Sequence, residues 1–176
     1  MLEKIKESAS FLKGKVTINP KIGIVLGSGL GGLVDQVKII TEIPYKDIPN
    51  FPVSTVAGHR GSLIFGKLNN VEVMVMSGRF HYYEGYKMKE VTFPIQVMKV
   101  MGVEKLILSN AAGGMNPTFK IGDIMIIKDH INLFGDNPLM GKNYDELGPR
   151  FPSMNEAYSK RLVKLAHETG KKLGIY

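Results

Sequence analysis

The chain has 176 residues and no cysteine, which excludes disulfides, thiolate catalysis and cysteine-ligated zinc. Its hydrophobic content of 44 % is enough for one domain with a real core. The formal charge of +7 points to an anionic partner. The lysines are spread along the chain, and no basic stripe alternates with aromatics, so inorganic phosphate or a phosphate ester is the better match than nucleic acid. No apolar run is long enough to cross a bilayer. Met1 to Lys15 alternates charged with apolar residues, unlike a signal peptide, and together with the cysteine-free composition this sets a cytoplasmic expectation.

In chain order, residues 2–13 place Leu2, Ile5, Phe11 and Leu12 near helical spacing, with Gly14 as a stop. Ile22 to Leu26 reads as a short buried strand ending in a glycine-rich loop, and residues 37–44 as a second strand. Residues 45–61 are rich in proline and glycine and read as loop. The stretches 62–68 and 71–77 read as strands joined by a tight turn at Asn69-Asn70. A helix is expected over 87–101, with Pro94 either kinking it or marking its first turn. Residues 104–109 read as another buried strand, 123–128 as a further strand, 129–153 as an ordered surface loop, and 155–173 as a helix with Leu162, Val163, Leu165 and Ala166 near one face. Strands alternating with helices, each strand ending in a glycine-bearing loop, argue a single α/β domain: a central mixed sheet flanked by helices, with ligands beyond the carboxyl ends of the strands.

Four segments could carry chemistry. In Gly27-Ser28-Gly29-Leu30-Gly31-Gly32, glycines let backbone N–H groups approach an anion and Ser28 adds a hydroxyl donor. The same spacing satisfies a dinucleotide fingerprint. Only Leu33 to Lys38 separate it from the next strand, too few for that unit's crossover helix, and Glu42 comes too early to be its acidic partner. A ligand-free turn stays open as well. In Ser77-Gly78-Arg79-Phe80-His81-Tyr82-Tyr83-Glu84-Gly85-Tyr86, the Arg79 guanidinium offers a fork of donors suited to a tetrahedral oxyanion. His81 can add a hydrogen bond, Glu84 can fix its imidazole, and the tyrosines offer flat faces to a sugar or base. An aromatic surface hairpin with an ordinary ion pair is the alternative. Asn110-Ala111-Ala112-Gly113-Gly114 puts small residues at a strand end, where a ligand can reach the backbone or where helix and strand can pack closely. Gly58-His59-Arg60-Gly61 can bring His59 to the anion from a second side, or leave it as a surface histidine. His130 is expected to bond the backbone of the long loop, and His167 to sit on the polar part of the last helix. The four histidines lack metal-ligand spacing, so no metal is expected. No nucleophile elbow is present, and Ser28 reads as a phosphate donor rather than a nucleophile.

Taken in order, GSGLGGL, AGHRG, SGRFHYYEGY and NAAGGMNP closely resemble the trimeric purine nucleoside phosphorylases, and GDIMIIKDHINL and RFPSMNEAY extend the match from about residue 20 to the end. The related methylthioadenosine phosphorylases share the fold but differ around residues 79–86. The resemblance implies phosphorolysis: a purine nucleoside and inorganic phosphate give the free base and a pentose 1-phosphate, with no cofactor or metal. By matching position it implies that Ser28, Arg79, His81 and the backbone N–H of Ala111 bind phosphate, with His59 at its edge. Glu84 orients His81, Tyr83 contacts the sugar, and Asn110, Ala111 and Ala112 line the nucleoside pocket. Phe151 matches a residue that closes the pocket of a neighbouring subunit, implying a homotrimer.

Family members continue well beyond Tyr176, and the further part carries the groups that read the purine. The expectation is therefore an incomplete domain over residues 1–176, the N-terminal phosphate-binding part, weak or inactive as a catalyst. Rival readings are a phosphate- or nucleoside-binding module without catalysis, a methylthioadenosine phosphorylase-like enzyme, and a nucleoside hydrolase that uses water.

Overall fold

The computed structural model of the protein describes residues 1–53 and 61–175. Five strands form one mixed sheet: β1 (Ile22–Val25), β2 (Lys38–Pro44), β3 (Ser62–Leu68), β4 (Val71–Ser77) and β5 (Lys105–Leu108), in the order β2-β3-β4-β1-β5. The β2–β3 and β3–β4 pairs are antiparallel, while β1 lies parallel to both β4 and β5. The hairpin between β3 and β4 closes as expected at Asn69-Asn70. Both residues take positive φ (47° and 65°), the conformation that asparagine tolerates and that matches strand twist in a two-residue turn.

The central strands β1, β3 and β4 are buried on both faces, and their sequence divides between them with a period of two. Met74 and Met76 of β4, Val25 of β1, and Leu63 and Phe65 of β3 point to one side. There they meet Ile5, Ala9 and Leu12 of α1 (Leu2–Lys15) and Phe93, Val97, Met98 and Met101 of α3 (Phe93–Met101). Val73, Val75, Ile24, Leu26 and Ile64 point to the other side, against Val34 and Val37. Val34 sits in a 3-10 helix over Gly31–Gln36, and this short helix leads from the glycine loop to β2.

Several expectations are corrected. The first helix runs through Gly14 and ends at Lys15, because nothing at Gly14 imposes a positive φ. The helix expected over 87–101 is two helices, α2 (Met88–Val91) and α3. Pro94 lies in the first turn of α3, where its missing N–H costs nothing. The strand at 104–109 is not a buried one: β5 is at the edge of the sheet, and Ile107 and Leu108 are each 54 % exposed. Residues 123–128 form no strand. Ile124 and Met125 are 65 % and 55 % exposed, and β propensity without a ladder partner does not hold a strand. The whole stretch 109–159 is turns and irregular chain. The last helix, α4 (Lys160–Lys172), starts later than expected because Ser159 caps it, its Oγ accepting from the Leu162 N–H at 3.4 Å. Leu162 and Val163 are only half-buried, and Leu165 and Ala166 are exposed. None of the described helices is long and apolar enough to cross a membrane.

Candidate functional site

Because β4, β1 and β5 are parallel neighbours, their carboxyl ends lie side by side, and so do the segments that follow: Gly78-Arg79 after β4, Leu26-Gly27-Ser28 after β1, and Ser109-Asn110 after β5. Three of the four segments singled out by sequence are therefore delivered to one rim. The fourth, with His59, falls in residues 54–60, outside the described residues.

The rim is bonded together at Ser109. Its N–H donates to Val25 O (3.1 Å), continuing the ladder, and its hydroxyl also donates to Val25 O (3.1 Å). The same hydroxyl accepts from the Gly27 N–H at 3.1 Å. From the other side, Arg79 Nη1 donates to the Ser109 carbonyl at 2.7 Å. Gly27 is required here by contact rather than by dihedral angle: a Cβ would lie 2.5 Å from Ser109 O and 2.7 Å from Asn110 Cα, both backbone atoms. Gly27 is buried, while Ser28 and Gly29 stand exposed above it.

Arg79 is half-buried and is set by what lies beneath it. Gly78 turns the chain out of β4 with φ of 96°, and its carbonyl accepts the Tyr45 phenol at 2.6 Å. Tyr45 is buried, and burial pushes its phenol pKa far above the ordinary value. Phe80, also buried, packs on Tyr45 (centroids 5.0 Å apart) and edge-on to Tyr86 (6.0 Å). The alternation after β4 thus sends Phe80 down into the core and leaves Arg79 and His81 facing up.

Glu84 Oε1 accepts from the His81 backbone N–H (2.9 Å) and sits 2.8 Å from His81 Nδ1. The glutamate side chain is only 3 % exposed and the histidine 12 %. On the far edge of the ring, Arg79 Nε donates to His81 Nε2 at 3.3 Å. An acceptor at Nε2 requires the hydrogen on Nδ1, which is where Glu84 receives it, so both contacts specify one tautomer. Tyr83 stacks on the imidazole (4.7 Å, 19°), and its outer face is exposed. Glu84 thus contacts both the backbone and the ring of His81.

Asn110, Ala111 and Ala112 are exposed at the same rim, and the Asn110 side chain donates to Ala111 O at 3.1 Å. Phe151 is 87 % exposed, with the Arg150 guanidinium over its ring. Arg150 also donates to the carbonyls of Leu139 and Gly141, which ties the long loop to itself. His130, expected to bond backbone, instead bonds the Tyr158 hydroxyl. His167 lies exposed on α4. Among the described residues no group of three or more His, Asp or Glu side chains could hold a metal ion. A shallow cleft of about 380 Å³ lies elsewhere, between the ends of α1 and α3, lined by residues such as Lys13, Asn19 and Met101, at the amino end of β1.

Sequence reasoning did not find Ser109 or Tyr45. A serine after a strand and a tyrosine after a proline are ordinary, and their roles arise from neighbours that are distant in sequence.

Comparison with known proteins adds a family. Residues 21–176 match the model of the phosphorylase superfamily. The chain is 57 % identical over 171 residues to purine nucleoside phosphorylase 1 of Geobacillus stearothermophilus, which covers 97 % of this chain and 62 % of that protein. Among solved structures, a schistosoma purine nucleoside phosphorylase in complex with hypoxanthine superposes with a TM-score of 0.91 at 48 % identity, covering 98 % of this chain and 62 % of that one. A purine nucleoside phosphorylase in complex with ribose-1-phosphate superposes with a TM-score of 0.92 at 49 % identity, covering 99 % and 65 %. The chain spans a little under two thirds of the length of these relatives.

Proposed function

We propose that this chain, which belongs to the phosphorylase superfamily, carries the phosphate-holding side of an enzyme that phosphorolyses purine ribo- and deoxyribonucleosides, releasing the free base and a pentose 1-phosphate for purine salvage. The observation that carries this reading is the joint rim of β4, β1 and β5. There Arg79 and the His81–Glu84 pair stand over backbone held by Ser109, beside the Ser28 loop. Relatives whose names and complexes specify purine nucleosides, hypoxanthine and ribose-1-phosphate support the substrate class.

In this reaction the bond between the sugar C1′ and the purine nitrogen breaks, and its electron pair leaves with the base. C1′ becomes cation-like, and a phosphate oxygen forms the new C1′–O bond. The protein's task is to hold the dianion under the developing cation. Arg79 presents its fork of N–H donors, and Ser28 and the Ala111 N–H add neutral donors. His81, held at Nδ1 by Glu84, adds one more when its Nε2 carries a proton and points to the anion instead of accepting from Arg79. The exposed face of Tyr83 meets the sugar, and Asn110 and Ala112 line the nucleoside pocket. The proton that phosphate carries is given up as its oxygen bonds C1′ and ends on the departing purine, so atoms and charge balance with phosphate as the sole co-substrate and the reaction calls for no cofactor. The exposed Phe151 ring suits a role in closing the pocket of a neighbour within a homotrimer. A cytoplasmic location fits the cysteine-free sequence.

The test is turnover of inosine by the purified protein, and by a version extended past Tyr176, with and without inorganic phosphate. Hypoxanthine release that depends on phosphate supports the proposal. Equal release without phosphate contradicts it in favour of hydrolysis, and phosphate binding without turnover in either version selects the binding-only alternative.

A further inference from the structure

We infer that Ser109 is a positioning residue that fixes the gap between the glycine loop and Arg79, and through that gap the affinity for phosphate. This rests on the proposed phosphate site. Two arms reach that site from different strands, the Ser28 loop from β1 and Arg79 from β4, and each is bonded to Ser109, the residue that follows β5. The hydroxyl accepts the N–H of Gly27, the residue before Ser28, at 3.1 Å. The carbonyl accepts Arg79 Nη1 at 2.7 Å, a charge-assisted bond. The third donor, the N–H of Ala111, lies two residues further along the same chain. One residue thus touches, or is nearly adjacent to, all three sources of anion donors.

The sheet itself does not need the hydroxyl. Ser109 N–H already pairs with Val25 O, and Leu26 N–H pairs with Met76 O on the other side. What the hydroxyl adds is the bond to Gly27 N–H, where the ladder between β1 and β5 has ended and the loop begins. The hydroxyl is simultaneously oriented, because its hydrogen is committed to Val25 O, which leaves a lone pair for Gly27. Without it, the Gly27 amide loses its acceptor and the loop loses its fixed height relative to the guanidinium. A misplacement of this kind weakens binding out of proportion to the single bond lost.

The experiment is calorimetric titration of the purified protein with inorganic phosphate, paired with thermal unfolding in the absence of phosphate. Ser109→Ala is expected to weaken phosphate binding by about tenfold. Ser109→Thr, which restores a hydroxyl, is expected to stay within about twofold of the parent. If Ser109→Ala does not fold, Ser109→Cys takes its place: it keeps the size with a poor hydrogen-bonding group, and the same tenfold loss is expected. Arg79→Ala is the control. If Arg79→Ala binds phosphate like the parent, the site itself is misplaced. If Arg79→Ala loses binding while Ser109→Ala keeps it, or while Thr and Ala at 109 behave alike, the positioning role is overturned and the phosphate site stands.

Discussion

Replacing Gly27 with alanine tests the rim from its tightest point. The added Cβ would sit 2.5 Å from Ser109 O, 2.7 Å from Asn110 Cα and 2.9 Å from the Ser109 carbonyl carbon. Ordinary contacts lie at about 3.5–4.0 Å, so the two chains must part by about 1 Å. All three atoms are backbone, and no side-chain rotation relieves them. Overpacking of this kind costs about 1–3 kcal/mol. Separation also breaks the bond from Gly27 N–H to the Ser109 hydroxyl, adding about 1 kcal/mol. A total of about 2–4 kcal/mol in a chain of this size lowers Tm by roughly 5–15 °C. The strain lies between the Ser28 loop and Ser109, so phosphate protection should fall together with Tm. Gly14→Ala is the matched control: Gly14 lies inside α1 with nothing within 4 Å of its would-be Cβ. It should stabilise the protein by about 0.5–1 kcal/mol and leave phosphate protection intact. Thermal unfolding of both variants, with and without phosphate, is the assay. A Gly27→Ala protein with parental Tm and parental phosphate protection would refute the close approach of β1 and β5 on which the site is built.

Tyr45→Phe removes the donor to Gly78 O and should cost about 1–2 kcal/mol by thermal unfolding. The parent should also lose stability as pH rises above about 10. The folded phenol's pKa is raised by burial, so the folded state holds a proton that the unfolded state releases from its ordinary pKa upward, and that loss should be absent in Tyr45→Phe. Glu84→Gln keeps the shape but replaces the acceptor of both His81 contacts with a neutral one. Titration should show phosphate affinity falling about tenfold with little change in secondary structure, and an unchanged affinity would remove Glu84 from the site. Ser159→Ala removes the cap of α4, and hydrogen exchange of that helix's first-turn amides should quicken about fivefold while β1 and β4 amides are unaffected.

What was legible in the sequence was local. The Asn69-Asn70 turn follows from two adjacent residues that tolerate positive φ, and the alternation Val73-Met74-Val75-Met76 follows from a sheet buried on both faces. The glycine loop could be read away from a dinucleotide fingerprint because too few residues separate it from β2 for a crossover helix, and the structure fills that gap with a short 3-10 helix. Residues 123–128 misled because apolar β-branched chain looks alike whether or not a neighbour pairs with it; strand formation is a property of the ladder. Ser109 was invisible for the related reason that its partners, Gly27 and Arg79, come from strands whose adjacency is a fact of topology. Tyr45 sits in a stretch rich in proline that reads as loop, yet its ring packs on Phe80 and its hydroxyl bonds Gly78 O, the residues on either side of Arg79.

The central claim is that inorganic phosphate is held at Arg79 on the shared rim of three strands. The most direct measurement is the melting temperature of the parent and of Arg79→Ala across a phosphate series. A ligand at a hundred times its Kd adds about 2.7 kcal/mol to the folded state. The parent's Tm should therefore climb with the logarithm of phosphate concentration, while that of Arg79→Ala stays flat. A parent that does not respond, or an Arg79→Ala protein that climbs in parallel with it, would contradict the account.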